Sequence, residues 1–147
     1  MKKILVFIAV VTLSLSACAD HEQYVDYSEL PIQAQTFVTK YFNLTDITYV
    51  EREREGLHNE YNVYLQNATK IEFDHQGNLQ SIDCHKNAVP EGIVPELITQ
   101  YVALHHPNSF IAEYAIGHRH LQVELNNGLE LIFDLDSWLL WSGFSEF

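Results

Sequence analysis

Glycine-rich phosphate loops and serine-nucleophile motifs are missing from this chain of 147 residues, which holds only six glycines. Their absence removes the usual signatures of nucleotide cradling and acyl transfer. Cysteine is scarce, at two positions, Cys18 and Cys84. Basic residues are few as well: eight against twenty acidic ones, and two of the eight are Lys2 and Lys3. The net charge of −12 argues against nucleic acid and against direct electrostatic adhesion to anionic lipid. It suits solubility and a basic partner. The apolar run Ile4 to Leu13 is too short to span a bilayer comfortably.

That run follows Lys2-Lys3 and precedes Leu15-Ser16-Ala17-Cys18, which is the plan of a secretory signal over residues 1–17. Leu-Ser-Ala-Cys resembles the bacterial lipobox, whose cysteine is lipidated on sulfur and becomes the mature N-terminus. The resemblance implies a lipid on Cys18 as the one tie to a membrane. Cleavage after Ala19 is the alternative, since Ala17-Cys18-Ala19 also fits a small-x-small site. With Cys18 lipidated, Cys84 has no partner within the chain and reads as a buried apolar residue. Residues 18–28 are polar and read as a tether.

The remainder is written twice. Tyr61-Asn-Val-Tyr-Leu-Gln-Asn-Ala-Thr-Lys-Ile-Glu-Phe-Asp74 returns as Leu121-Gln-Val-Glu-Leu-Asn-Asn-Gly-Leu-Glu-Leu-Ile-Phe-Asp134, at an offset of 60. Each copy alternates apolar and polar residues on both sides of a short turn, the mark of a hairpin with one buried face. Asn127-Gly128 is a strong turn signal because both residues tolerate positive φ. Asn67-Ala68 is weaker and predicts a looser turn. Asp74 and Asp134 suit turns, where an Asp side chain accepts from nearby backbone amides.

A helix precedes each hairpin. Leu30 to Phe42 carries Ala34, Phe37, Val38, Tyr41 and Phe42 at helical spacing, with Ser28 as a cap and Pro31 in the first turn. Val94 to His106 repeats it at an offset of 64, with Pro95 matching Pro31. The first copy therefore holds four extra residues, within Glu51 to Asn59, which predict a longer loop after a strand at 47–55. The alternating charges from Glu51 to Glu55 read as a solvated edge. Further strands are predicted at 79–84, 111–118 and 138–141. The predicted fold class is α+β: two tandem helix-plus-four-strand antiparallel repeats, residues 29–86 and 87–147, forming one curved sheet with helices on one face.

This arrangement resembles the PepSY-like family of bacterial envelope proteins, whose fold is likened to the beta-lactamase inhibitor protein. Leu30-Pro31, Ala34, Phe37, Tyr41-Phe42, Tyr61-Asn-Val-Tyr-Leu, Ile71-Glu-Phe-Asp74 and Gly77 carry the likeness. Val94-Pro95, Leu125-Asn-Asn-Gly128 and Leu131-Ile-Phe-Asp134 echo it, and it spans residues 28–147. Ser137 departs from the glycine usual there, and Ala68 departs within the turn. The resemblance implies one curved sheet with helices on its convex side and a concave face left open, the face that in the inhibitor protein grips an enzyme. It does not carry beta-lactamase inhibition with it.

Two readings of function follow. The first is non-catalytic binding of an envelope protein or peptide through the helix-free face, with Tyr64, Glu72, His120, Glu124, Ile132 and Trp138 as contacts and no cofactor. Trp138 and Trp141 stand three apart, so alternation turns one of them outward. The second is metal binding or sensing through His118 and His120, which stand two apart on a predicted strand. That pair lacks an obvious third ligand.

Overall fold

The computed structural model describes residues 22–136 and, through their backbone, 140–144. Strand β1 (Gln23–Val25) and a 3-10 turn (Tyr27–Glu29) lead to helix α1 (Ile32–Tyr41). Strands β2 (Ile47–Glu55), β3 (His58–Leu65), β4 (Lys70–Phe73) and β5 (Leu79–Asp83) follow. Helix α2 (Glu96–His105) then precedes β6 (Ile111–Ile116), β7 (His120–Leu125), β8 (Leu129–Asp134) and β9 (Leu140–Phe144). Among the described residues the nine strands make one open antiparallel sheet in chain order, so the fold is α+β. Strand β1 falls within the stretch read as a tether.

Proline sets both helix starts. Pro31 and Pro95 are the N-cap residues themselves, at φ −53 and −52, where a missing N–H costs nothing. Ser28 does not cap α1, because it belongs to the preceding 3-10 turn. Each helix buries one narrow stripe on the same face of the sheet: Ala34 and Val38 from α1, Ile98 and Val102 from α2. Beneath lie Val63, Ile71, Phe73 and Ile82 in the first half, and Val123, Leu125, Leu131 and Phe133 in the second. Phe37 meets Phe73 edge to face at 5.5 Å, and Tyr101 meets Phe133 in the same way at 5.6 Å. Burying each such side chain stabilises the fold by about 1.5–3 kcal/mol.

Three further expectations need correction. The extra residues of the first half do not form a loop. They lengthen β2 and β3, which pair out to Glu55 opposite His58, while β6 and β7 stop pairing at Ile116 opposite Leu121. Glu51 is buried, at 7 % exposure, and is no solvated edge residue, because β1 pairs with β2 over Val50–Arg52. The Asn67-Ala68 turn is no looser than its counterpart. Ala68 adopts φ +67 and Gly128 φ +81, and each donates its N–H to the carbonyl of the residue three before it, Leu65 or Leu125. Asp74 accepts from the backbone of Gln76 and Asn78, and Asp134 from that of Asp136, as the turn reading requires.

Candidate functional site

Alternation leaves every second strand residue on the face that the helices do not cover. The register lines these residues up in two rows across seven strands. One row runs Tyr49, Tyr64, Lys70, Asp83, Glu113, Glu124, Glu130 from β2 to β8. Its neighbour runs Glu51, Asn62, Glu72, Ser81, Ala115, Gln122, Ile132. Six carboxylates thus share the two rows with one lysine.

The two ends of this face differ in chemistry. On β1 to β3, Tyr24 meets Tyr49 edge to face at 5.4 Å, and Tyr49 stacks on Tyr64 at 4.4 Å. Burial, then the hydrogen bond of its hydroxyl to Glu51, pushes the Tyr64 phenol far above its ordinary range. Lys70 Nζ lies 5.8 Å from the Tyr64 ring and pairs with Glu72, whose carboxylate also accepts from the Ser81 hydroxyl. Burial raises the Glu72 pKa, but these two hydrogen bonds outweigh it and hold the carboxyl low. Between Glu51 and Glu72 sits Asn62, only 3 % exposed, with no partner for its Nδ2. On β5 to β8, Asp83, Glu113, Glu124 and Glu130 stand side by side. Burial, then the charges of Asp83, Glu124, Glu72 and Glu130, pushes the Glu113 carboxyl up.

Tyr64, Glu72, Glu124 and Ile132 all fall in the two rows, and His120 lies one pair further along, opposite Asp134. They do not converge on one spot: Tyr64 and Ile132 are five strands apart, about 24 Å. Trp138 lies outside the described residues. The histidine pair of the metal reading is broken. His120 opens β7, but His118 sits in the turn before it, so the two do not project together from one strand. No three His, Cys, Asp or Glu side chains are grouped to hold a metal ion among the described residues. His58, matched to His118 in sequence, instead stacks on His75 at 4.4 Å. Cys84 is buried, and burial pushes its thiol pKa up.

Sequence reasoning missed Tyr24, Tyr49, Asp83, Glu113 and Glu130. For two of them the cause is local. A bulge between Ile47 and Tyr49, and another between Ile111 and Glu113, shifts the strand phase by one residue. Counting in twos from Ile47 or Ile111 puts Tyr49 and Glu113 under the helices, whereas the bulge turns them outward. Val50 and Tyr114, apolar and one step out of phase, were the available signal.

Residues 59–140 match a family model described as "Putative beta-lactamase-inhibitor-like, PepSY-like". No curated protein matches the chain. Among solved structures, a "putative calcium-regulated periplasmic protein" of Bacteroides thetaiotaomicron is 29% identical, with a TM-score of 0.75 over 82% of this chain and 94% of that one. A periplasmic protein of Bacteroides vulgatus from the DUF2874 family is 29% identical, with a TM-score of 0.78 over 84% and 96% of the two chains. Another from Bacteroides vulgatus, of unknown function, is 25% identical, with a TM-score of 0.77 over 84% and 99%.

Proposed function

This chain belongs to the PepSY-like, beta-lactamase-inhibitor-like family, and from that premise we propose that it is a non-catalytic envelope protein that binds a protein or peptide through the helix-free face of its sheet. The observation that carries this reading is the contrast between the faces. One is sealed by two helices. The other holds six carboxylates against one lysine, with a tyrosine group at one end. Carboxylates steer a basic partner, and aromatic rings supply contact area once it arrives.

A periplasmic location is supported by the similar structures, which are described as periplasmic. A lipid on Cys18 is supported by Leu15-Ser16-Ala17-Cys18, and loss of acyl labelling in Cys18→Ser tests it. The two helix-plus-four-strand halves are read as copies of one module, supported by the matched Phe37–Phe73 and Tyr101–Phe133 contacts.

The test of the binding reading is photocrosslinking in intact cells. A photoreactive residue replaces Ser81 or Gln122 on the open face, and Thr36 or Gln100 on the helices. Adducts to one basic envelope protein from the first pair and not the second are expected. Adducts only from the helix positions, or none from the sheet, would overturn the reading.

A further inference from the structure

We propose that the tyrosine end of the open face receives an arginine side chain from an extended segment of the partner. This rests on the reading of that face as the binding surface, and it names the partner's chemistry.

The rings form a platform. Tyr49 is held between the edge contact of Tyr24 and the stack on Tyr64, yet it stays 37 % exposed, and Tyr24 stays 72 % exposed. Aromatic surface kept in fixed planes and left open suits a flat guest. The surroundings choose the guest's charge. Glu51, in the neighbouring row, accepts from Tyr64, and Glu72 lies two strands away in that row. Lys70, 5.8 Å from the Tyr64 ring, shows that this group already accommodates a cation. Guanidinium is planar, stacks on aromatic faces and bonds carboxylates through a fork, which ammonium cannot do.

Asn62 sets the rest of the guest. Its buried Nδ2 is a donor without an acceptor, in the row between Glu51 and Glu72. A buried donor left unpaired is costly, and this one is closed to solvent, so the cost favours a shift of the neighbouring side chains that lets an acceptor on the ligand reach it. A metal ion or a free cation brings no acceptor, whereas a peptide carbonyl does. An arginine-bearing peptide satisfies all three features.

The experiment is an amide NMR titration of the mature protein with acetyl-Ser-Arg-Ser-Arg-Ser-amide, its lysine and citrulline counterparts, and calcium chloride. Shifts should centre on Tyr49, Asn62 and Tyr64. The arginine peptide should bind about threefold more tightly than the lysine peptide, and the citrulline peptide more weakly than either. Tyr49→Leu should weaken binding about fivefold, with Tyr49→Phe retaining it as the control for folding. Glu96→Gln, in the first turn of α2 and outside the open face, should leave it within about twofold.

No binding of the arginine peptide overturns the proposal. So do shifts spread along Asp83 to Glu130, equal losses from Tyr49→Leu and Glu96→Gln, or calcium shifting the same amides more strongly. If any of these occurs while crosslinks from Gln122 persist, the arginine assignment falls and the binding face stands. If the crosslinks fail too, both fall.

Discussion

The backbone nitrogen of Ala34 lies 2.8 Å from where a Cβ on Gly77 would stand, and the Cβ of Pro31 is equally close. Helix α1 therefore rests directly on the turn between β4 and β5. Gly77 also holds φ +88, which an L side chain rarely adopts. Gly77→Ala should cost about 3 kcal/mol, from overpacking against backbone together with left-handed strain. Urea unfolding of the variant measures it, and an unchanged midpoint would show that the helix moves away at little cost.

The matched turns give a reciprocal pair. Ala68 occupies the left-handed conformation that Gly128 occupies in the other half. Ala68→Gly should raise stability by up to about 1 kcal/mol, and Gly128→Ala should lower it by about 1 kcal/mol. Thermal melts of both variants check the opposed signs.

Glu113 predicts a pH dependence. Burial and the neighbouring charges of Asp83, Glu124, Glu72 and Glu130 raise its pKa in the fold. The folded state therefore holds this proton at pH values where the unfolded chain has lost it. The linked stability is full below the unfolded value of about 4.3 and is lost as pH rises through the higher folded value. Glu113→Gln should raise the melting temperature at pH 7, and the gain should vanish below about pH 4. A melting series from pH 3 to pH 8 follows it; a gain that is constant with pH contradicts the assignment.

Asn62 should trade stability against binding. Replacing its buried, unpaired amide by an apolar side chain of similar size removes a desolvation cost of about 1–3 kcal/mol. Asn62→Leu should therefore melt higher than the parent and bind the arginine peptide less well. Calorimetry and the titration together test the pair of effects; higher stability with undiminished binding would separate Asn62 from the ligand.

Phe73 and Phe133 anchor the two halves of the core, at 0 % and 4 % exposure. Each Phe→Ala variant should lose about 3–5 kcal/mol, because the rings of Phe37 and Tyr101 cannot close the cavities left behind. Chemical denaturation of each gives the comparison. A loss confined to one variant would count against the proposal that the halves are copies of one module.

The sequence by itself determined the element order after β1, the oily face of the sheet and the two proline-led helices. These depend on period-two and period-3.6 patterns and on turn chemistry, all local to the chain. Tyr64, Glu72, Glu124 and Ile132 were placed on the open face by alternation alone. Tertiary structure decided where alternation fails and what stands beside what. The bulges that turn Tyr49 and Glu113 outward are closed by pairing with β3 and β7, so no single strand specifies them. The platform of Tyr24, Tyr49 and Tyr64 exists because β1 returns to pair with β2. Register between strands is a property of the assembled sheet. It alone sets Asn62 between two carboxylates and leaves His118 outside the strand that His120 opens.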